Sequence, residues 1–179
     1  MFSLLCPKSC YVSVLEIDPR ELKKQGIDGL ILDVDNTIVE WRSDQVSEAM
    51  KEWVHRALDS DLKVCIVSNG VEKQVETVSK ELNVPAIAKA GKPTKRSFLR
   101  AVRIMEVEPS RTAVIGDQVF TDILGGNRLG MYTILINPVG KQELKFTKLM
   151  RRLERWTLTK MYKKGLISLR AYRTRFSNE

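Results

Sequence analysis

Short, almost wholly apolar runs alternate along this chain with segments whose apolar residues recur at helical spacing, and no other feature constrains the fold as much. The run Gly29-Leu-Ile-Leu-Asp33 is followed by Val46, Ala49, Met50, Trp53, Val54, Ala57 and Leu58, which share one helix face. Lys63-Val-Cys-Ile-Val-Ser68 leads in the same way to Val71, Val75, Val78 and Leu82. The short run Ala86-Ile-Ala88 precedes a helix expected from about Thr94 to Met105, with Pro93 at its entrance. Thr112-Ala-Val-Ile-Gly116 precedes a helical segment that stops at Leu129-Gly130, and Tyr132-Thr-Ile-Leu-Ile136 closes the series. Five strands alternating with four helices predict a parallel sheet covered on both faces, because strands buried on both sides read as continuous apolar runs. The expected fold class is α/β, a three-layer doubly wound parallel sheet. In such sheets ligands bind beyond the carboxyl ends of the strands.

The 179 residues, 43% of them hydrophobic, suffice for one ordinary core. They divide into an N-terminal extension, 1–26, a core domain, 27–140, and a tail, 141–179. The tail holds 12 Lys and Arg against 3 Glu, a net +9, whereas residues 1–140 hold 18 against 19, a net −1. Phe146, Leu149, Met150, Leu153 and Trp156 form one stripe of a basic amphipathic helix there. Such a block suits a polyanionic partner, an anionic membrane or a nucleic acid, and equally a helix docked on its own domain. Trp156 and Tyr162 suit an interfacial position in either case. No stretch reaches the roughly 18 consecutive apolar residues of a spanning helix, and the opening Met-Phe-Ser-Leu-Leu-Cys-Pro run is too short for a signal-peptide core. Cys6, Cys10 and Cys65 lack the spacing of a zinc site or a disulfide scaffold, so a reducing cytosol is expected.

The polar residues that interrupt this pattern fall at predicted strand ends. Asp33-Val-Asp35-Asn36-Thr37 follows the first strand, and two carboxylates so placed can face one pocket in which a divalent cation relieves their repulsion. Ser68-Asn69 ends the second strand, Gly91-Lys92-Pro93 precedes the third helix, and Gly116-Asp117 with Thr121-Asp122 ends the fourth strand. Seen singly, Ser68 suits a helix cap, Lys92 a solvated lysine, and Asn36 and Thr37 turn or backbone-nest residues. Together they supply an anionic nucleophile, oxygen-binding donors, a cation and metal ligands, which is what phosphoryl transfer needs. His55, the one histidine, reads as a surface residue, so no histidine-based scheme arises.

Across residues 29–136 these motifs resemble, in order, the four motifs of the haloacid dehalogenase (HAD) superfamily phosphatases. The resemblance implies that Asp33 is a nucleophile forming an aspartyl-phosphate, and that Asp35 protonates the leaving group and then activates water. It implies Mg2+ held by Asp33, Asp117 and the backbone carbonyl of Asp35, with Asp122 and Thr37 in support, and a phosphoryl group held by Ser68, Asn69 and Lys92. Superfamily members often carry a cap domain, but only 30 residues separate Thr37 from Ser68 and 23 separate Ser68 from Lys92, which leaves no room for one. An open site suits a phosphate on a large or immobile carrier.

Asp33-Val-Asp-Asn-Thr-Ile-Val-Glu-Trp41, Leu124-Gly-Gly-Asn-Arg128 and the tail ending in Lys163-Lys-Gly-Leu-Ile167 resemble the capless subfamily IIIA proteins of the YqeG family and the related phosphatidylglycerophosphate phosphatases. That resemblance implies conversion of phosphatidylglycerophosphate to phosphatidylglycerol by a cytoplasmic protein lying peripherally on the inner face of an anionic membrane. Phe2, Leu4 and Leu5 would offer a second membrane contact or pack on the domain. The alternatives are a phosphatase for a soluble nucleotide or sugar phosphate and, more distantly, an RNA- or ribosome-associated factor. The tail holds no RNA-binding motif, so nucleic acid is not the expected partner.

Overall fold

The structure, a computed structural model, describes residues 2–41, 43–140, 145–169 and 172–173. Six parallel strands form one sheet: β1 (Ser9–Tyr11), β2 (Gly29–Leu32), β3 (Lys63–Val67), β4 (Ala86–Ile87), β5 (Thr112–Gly116) and β6 (Tyr132–Ile136), in the order β1-β6-β5-β2-β3-β4. The five expected strands are all present. The sixth, β1, corrects the count: Ser9 to Tyr11 pair with Ile134 to Ile136 at the sheet edge. The extension therefore takes part in the fold rather than standing outside it. Val14, Ile17 and Leu22 also enter the main core, and the Trp53 indole N–H donates to the Ile17 carbonyl at 2.7 Å.

Helices α1 (Pro19–Lys24), α2 (Glu48–Asp59), α3 (Glu72–Leu82), α4 (Lys95–Met105), α5 (Leu124–Asn127) and α6 (Lys145–Lys163) cover the sheet. Alternation along the strands sorts them into layers. Leu30, Leu32, Val64, Ile66, Ala113 and Ile115 face the side of α2 and α3, where Met50, Trp53, Val54, Val75 and Val78 are buried. Ile31, Cys65, Val67 and Val114 face Phe98, Ala101, Val102 and Met105 of α4. The result is the expected three-layer α/β sheet, and among the described residues no cap domain interrupts it. Two central strands, β2 and β5, are paired in register, Leu32 opposite Ile115, so the residues that follow them emerge side by side at the carboxyl edge.

The basic helix α6 packs against this body. Leu158, Met161 and Ile167 join Val119, Ile123 and Leu135, with Leu5, Cys6 and Cys10 partly buried against them. The docked face of α6 includes Glu154, Thr157, Leu158 and Met161, while Leu153 and Trp156 from the expected stripe are 44% and 58% exposed. The side chains of Phe146, Leu149, Met150 and Phe2 lie outside the described set; Leu4 is exposed and Leu5 half-buried. Among the described residues no helix is long and apolar enough to cross a membrane.

Candidate active site

Asp33, Ser68 and Asp117 come to the carboxyl edge of the sheet because the strands that carry them end there. Asp33 follows β2, its N–H donating to Ile115 on β5 at 3.1 Å. Ser68 follows β3, its N–H donating to Ile87 on β4 at 3.0 Å, and Asp117 follows β5. A cleft of about 230 Å³ is lined by Asp33, Asp35, Ser68, Asn69, Lys92 and Gln118, with Trp41 and Thr121 adding to its walls.

At its floor the Lys92 ammonium lies 2.6 Å from Asp33 Oδ1 and 2.7 Å from Asp122 Oδ1, all three side chains being buried. Asp122 can approach because residue 116 is glycine: a Cβ there would overlap the Asp122 carboxylate. Its other oxygen accepts the Gln118 N–H at 3.2 Å. Asp33, Asp117 and Asp122 each place one carboxylate oxygen within 4.8 Å of the others.

The electrostatics follow from that crowding. Burial pushes the Asp33 carboxyl up to about 8; Lys92 opposes the rise, and Asp122 and Asp117 add to it. Asp122 is raised for the same leading reason. For Lys92, burial acts downward but is outweighed by Asp122 and Asp33, which hold the ammonium charged well above its usual range. Three clustered buried carboxylates, two of them paired to one ammonium, sum with it to a formal −2 when ionised, which is unstable in a dry site. An all-oxygen, doubly anionic set fits a hard divalent cation.

Also lining the cleft, Ser68 Oγ accepts the Gly70 N–H at 2.9 Å, leaving its own proton for another acceptor. It does not cap α3, whose N-cap is Val71. Asn69 grips the Lys92 backbone from both sides: its Oδ1 accepts the Lys92 N–H at 2.8 Å and its Nδ2 donates to the Lys92 carbonyl at 3.2 Å. The backbone of the Asp35 loop closes on itself, the Asn36 N–H donating to Val39 and the Thr37 N–H to Val34. Thr37 is buried behind it. His55 is exposed on α2, as its position in the sequence indicates.

Gln74 is a residue that the sequence pattern does not single out. Its Nε2 donates to Asp35 Oδ1 at 3.0 Å and to the Ser43 carbonyl at 2.8 Å, tying the half-buried Asp35 to α3 and to the loop beyond it. Gly70 makes room, since a Cβ there would stand 2.9 Å from Asp35 Oδ2. A hydrogen bond to a charged group contributes about 1.5–3 kcal/mol, so Gln74→Ala is expected to lower kcat about tenfold with KM little changed. Steady-state kinetics on an aryl phosphate check this, and an unchanged kcat would deny Gln74 any hold on Asp35.

On a capless doubly wound sheet, a buried carboxylate paired to an ammonium beside further carboxylates makes a candidate phosphoryl-transfer site. Residues 89–143 match the HAD-hydrolase-like family. The chain is 40% identical over 161 residues to "Probable phosphatase YqeG" of Bacillus subtilis, covering 90% of this chain and 94% of that protein. It is 26% identical over 160 residues to phosphatidylglycerophosphate phosphatase 1, chloroplastic/mitochondrial, of Arabidopsis thaliana, covering 84% of this chain and 46% of that protein, so it spans about half of that relative. Among solved structures, deoxy-D-mannose-octulosonate 8-phosphate phosphatase of Haemophilus influenzae shares the fold, with a TM-score of 0.51 at 16% identity over 76% of this chain and 90% of that one. The chain belongs to the YqeG family of HAD-superfamily phosphatases.

Proposed function

We propose that this phosphatase removes the terminal phosphate of phosphatidylglycerophosphate, yielding phosphatidylglycerol, while lying peripherally on an anionic membrane, in the cytoplasm and against the inner face. The observation that carries the chemistry is the buried Asp33 carboxylate held 2.6 Å from Lys92 at the floor of an open cleft. Asp33 attacks phosphorus as the bond to the leaving oxygen breaks, and Asp35 gives that oxygen its proton. Asp35 then takes a proton from water as the water attacks the aspartyl-phosphate, releasing phosphate and restoring Asp33. Ser68 and Lys92 hold the phosphoryl oxygens, and Asn69 fixes the Lys92 backbone where it faces the cleft. Asp33, Asp117 and the Asp35 carbonyl, with Asp122 and Thr37 in support, would hold Mg2+, which supplies the charge neutralisation that lets two anions meet.

Three things support the lipid: the relatives named for that activity, the open cleft, and the exposed side of α6. There Leu153 and Trp156 stand out among exposed Arg152, Arg155, Lys160 and Lys163. Lys160 lies over the Trp156 ring, 5.6 Å from its centroid. Each basic residue near an anionic surface contributes about 1 kcal/mol, and the apolar side chains would enter the head-group layer. The buried Leu158 and Met161 favour a second reading, in which the helix serves the domain and the substrate is a soluble nucleotide or sugar phosphate.

Deleting residues 141–179 would expose a core cluster, so it cannot separate these readings. Surface changes can. Leu153→Ser with Trp156→Ser is expected to cut sedimentation with phosphatidylglycerol vesicles about tenfold or more, and to lower turnover of vesicle-borne phosphatidylglycerophosphate without changing turnover of para-nitrophenyl phosphate. Phosphate release from the lipid in mixed micelles, beside a panel of nucleotide and sugar phosphates, tests the substrate itself. Preference for a soluble ester would discard the lipid and keep the chemistry.

A further inference from the structure

Glu154 is the one acidic residue among the 19 of α6, on a helix otherwise rich in Lys and Arg. It is not solvated: 2% of its surface is exposed, beside Leu158 and Met161 on the docked face. Its Oε1 accepts the backbone N–H of Val119 at 2.7 Å. Val119 opens the helical turn Val119–Ile123, which runs on into α5, and an N–H in a first turn has no partner within its own helix. A carboxylate there satisfies that donor and faces the positive end of the turn.

The position of that turn gives the bond its consequence. Asp117 stands two residues before Val119 and Asp122 three residues after it. The segment is braced from within, Asp122 Oδ2 accepting the Gln118 N–H at 3.2 Å and the Asp122 N–H donating to the Gln118 carbonyl at 3.1 Å. Glu154 is a brace from outside it, reaching in from residues 35 positions further along the chain. Burying a carboxylate costs several kcal/mol unless it is hydrogen-bonded, and an apolar side chain would pack as well among Leu158, Met161, Ile123 and Leu135. At this place Glu154 supplies an acceptor for the Val119 N–H.

We propose that Glu154 is a positioning residue for the phosphoryl-transfer site: by holding Val119 it sets the 117–122 segment, and with it Asp117 and Asp122, so that cation binding depends on the docked tail helix. The inference rests on the divalent-cation reading of Asp33, Asp117 and Asp122, and not on the identity of the substrate. The tail thereby has two sides with separate duties, the exposed side toward a surface and the buried side toward the site.

The test uses the full chain with Glu154→Ala, Glu154→Gln and, as a packing control, Met161→Ala. Mn2+ binding is measured by calorimetry without substrate, alongside thermal denaturation and kcat and KM on para-nitrophenyl phosphate. Partners one step behind metal ligands typically affect affinity 10–100-fold, so Glu154→Ala is expected to bind Mn2+ about tenfold or more weakly and to lose kcat in step. Glu154→Gln, whose amide oxygen still accepts the Val119 N–H, should return to within about threefold of wild type. Met161→Ala should melt earlier yet bind Mn2+ as wild type does. Wild-type affinity in Glu154→Ala, failure of Glu154→Gln to rescue, or equal weakening in Met161→Ala would each overturn the proposal. Absence of Mn2+ binding in the wild type would instead remove the cation reading on which it rests.

Discussion

Asp33→Asn is expected to abolish turnover, lowering kcat by about 10,000-fold or more on every phosphomonoester, because an amide cannot form the proposed aspartyl-phosphate. The same change is expected to leave the fold intact or make it more stable. Burial raises the Asp33 carboxyl to about 8, above its unfolded value, so the ionised form is disfavoured in the folded state and destabilises it as pH rises between the two. A neutral amide of the same shape removes that cost, and Lys92 keeps its pairing with Asp122 at 2.7 Å. Thermal denaturation without added cation near pH 7.5 checks the stability arm and an aryl phosphate assay checks the other. Loss of activity accompanied by early melting would mean that Asp33 supports the fold rather than the chemistry.

Lys92→Ala has the second largest expected effect, and it reaches both stability and rate. The ammonium is buried between Asp33 and Asp122, so its removal leaves two carboxylates facing each other in a dry site. Removing one partner of a buried ion pair costs about 3–5 kcal/mol, and protonation of the stranded carboxylates trims the loss. Catalysis should fall about 100–1000-fold, the range for losing one oxyanion-stabilising donor. Because a divalent cation meets the same excess of negative charge, Mg2+ should raise the melting temperature of Lys92→Ala more than that of wild type. A variant as stable as wild type and indifferent to Mg2+ would contradict the charge balance argued for the site.

The residues proposed to carry this chemistry were legible in the sequence because strands buried on both faces announce their own ends. Asp33, Ser68 and Asp117 each terminate an apolar run, and the structure brings all three to one carboxyl edge. Lys92 and Asp122 needed the motif order as well, since nothing local says that a lysine after Gly91 is buried. What escaped has physical reasons. β1 is three residues long, half-buried and paired on one side only, so it shows no apolar run. Gln74 is a single polar residue in the first turns of α3, identical in sequence to a solvated glutamine; its role lies in a 3.0 Å bond across 39 positions.

The tail shows how a true pattern can direct attention to one side of a helix. Leu153 and Trp156 are apolar at helical spacing, yet they are exposed, while the docked side includes Glu154 and Thr157. Those two polar residues break the apolar stripe that periodicity detects, because each is buried among partners that only tertiary structure brings close. Leu158 and Met161 lie outside the stripe read from the sequence, and they are buried against Val119 and Ile123, between Asp117 and α5.

Rapid acid quench during turnover, followed by mass analysis of the peptide holding residues 33–37, tests the covalent step at Asp33. In Asp35→Asn turning over an aryl phosphate, whose leaving group departs without Asp35's proton while water is no longer activated, accumulation of one phosphoryl group on Asp33 and slow release of phosphate are expected. Turnover without that adduct, or with the phosphoryl group on another residue, would contradict it.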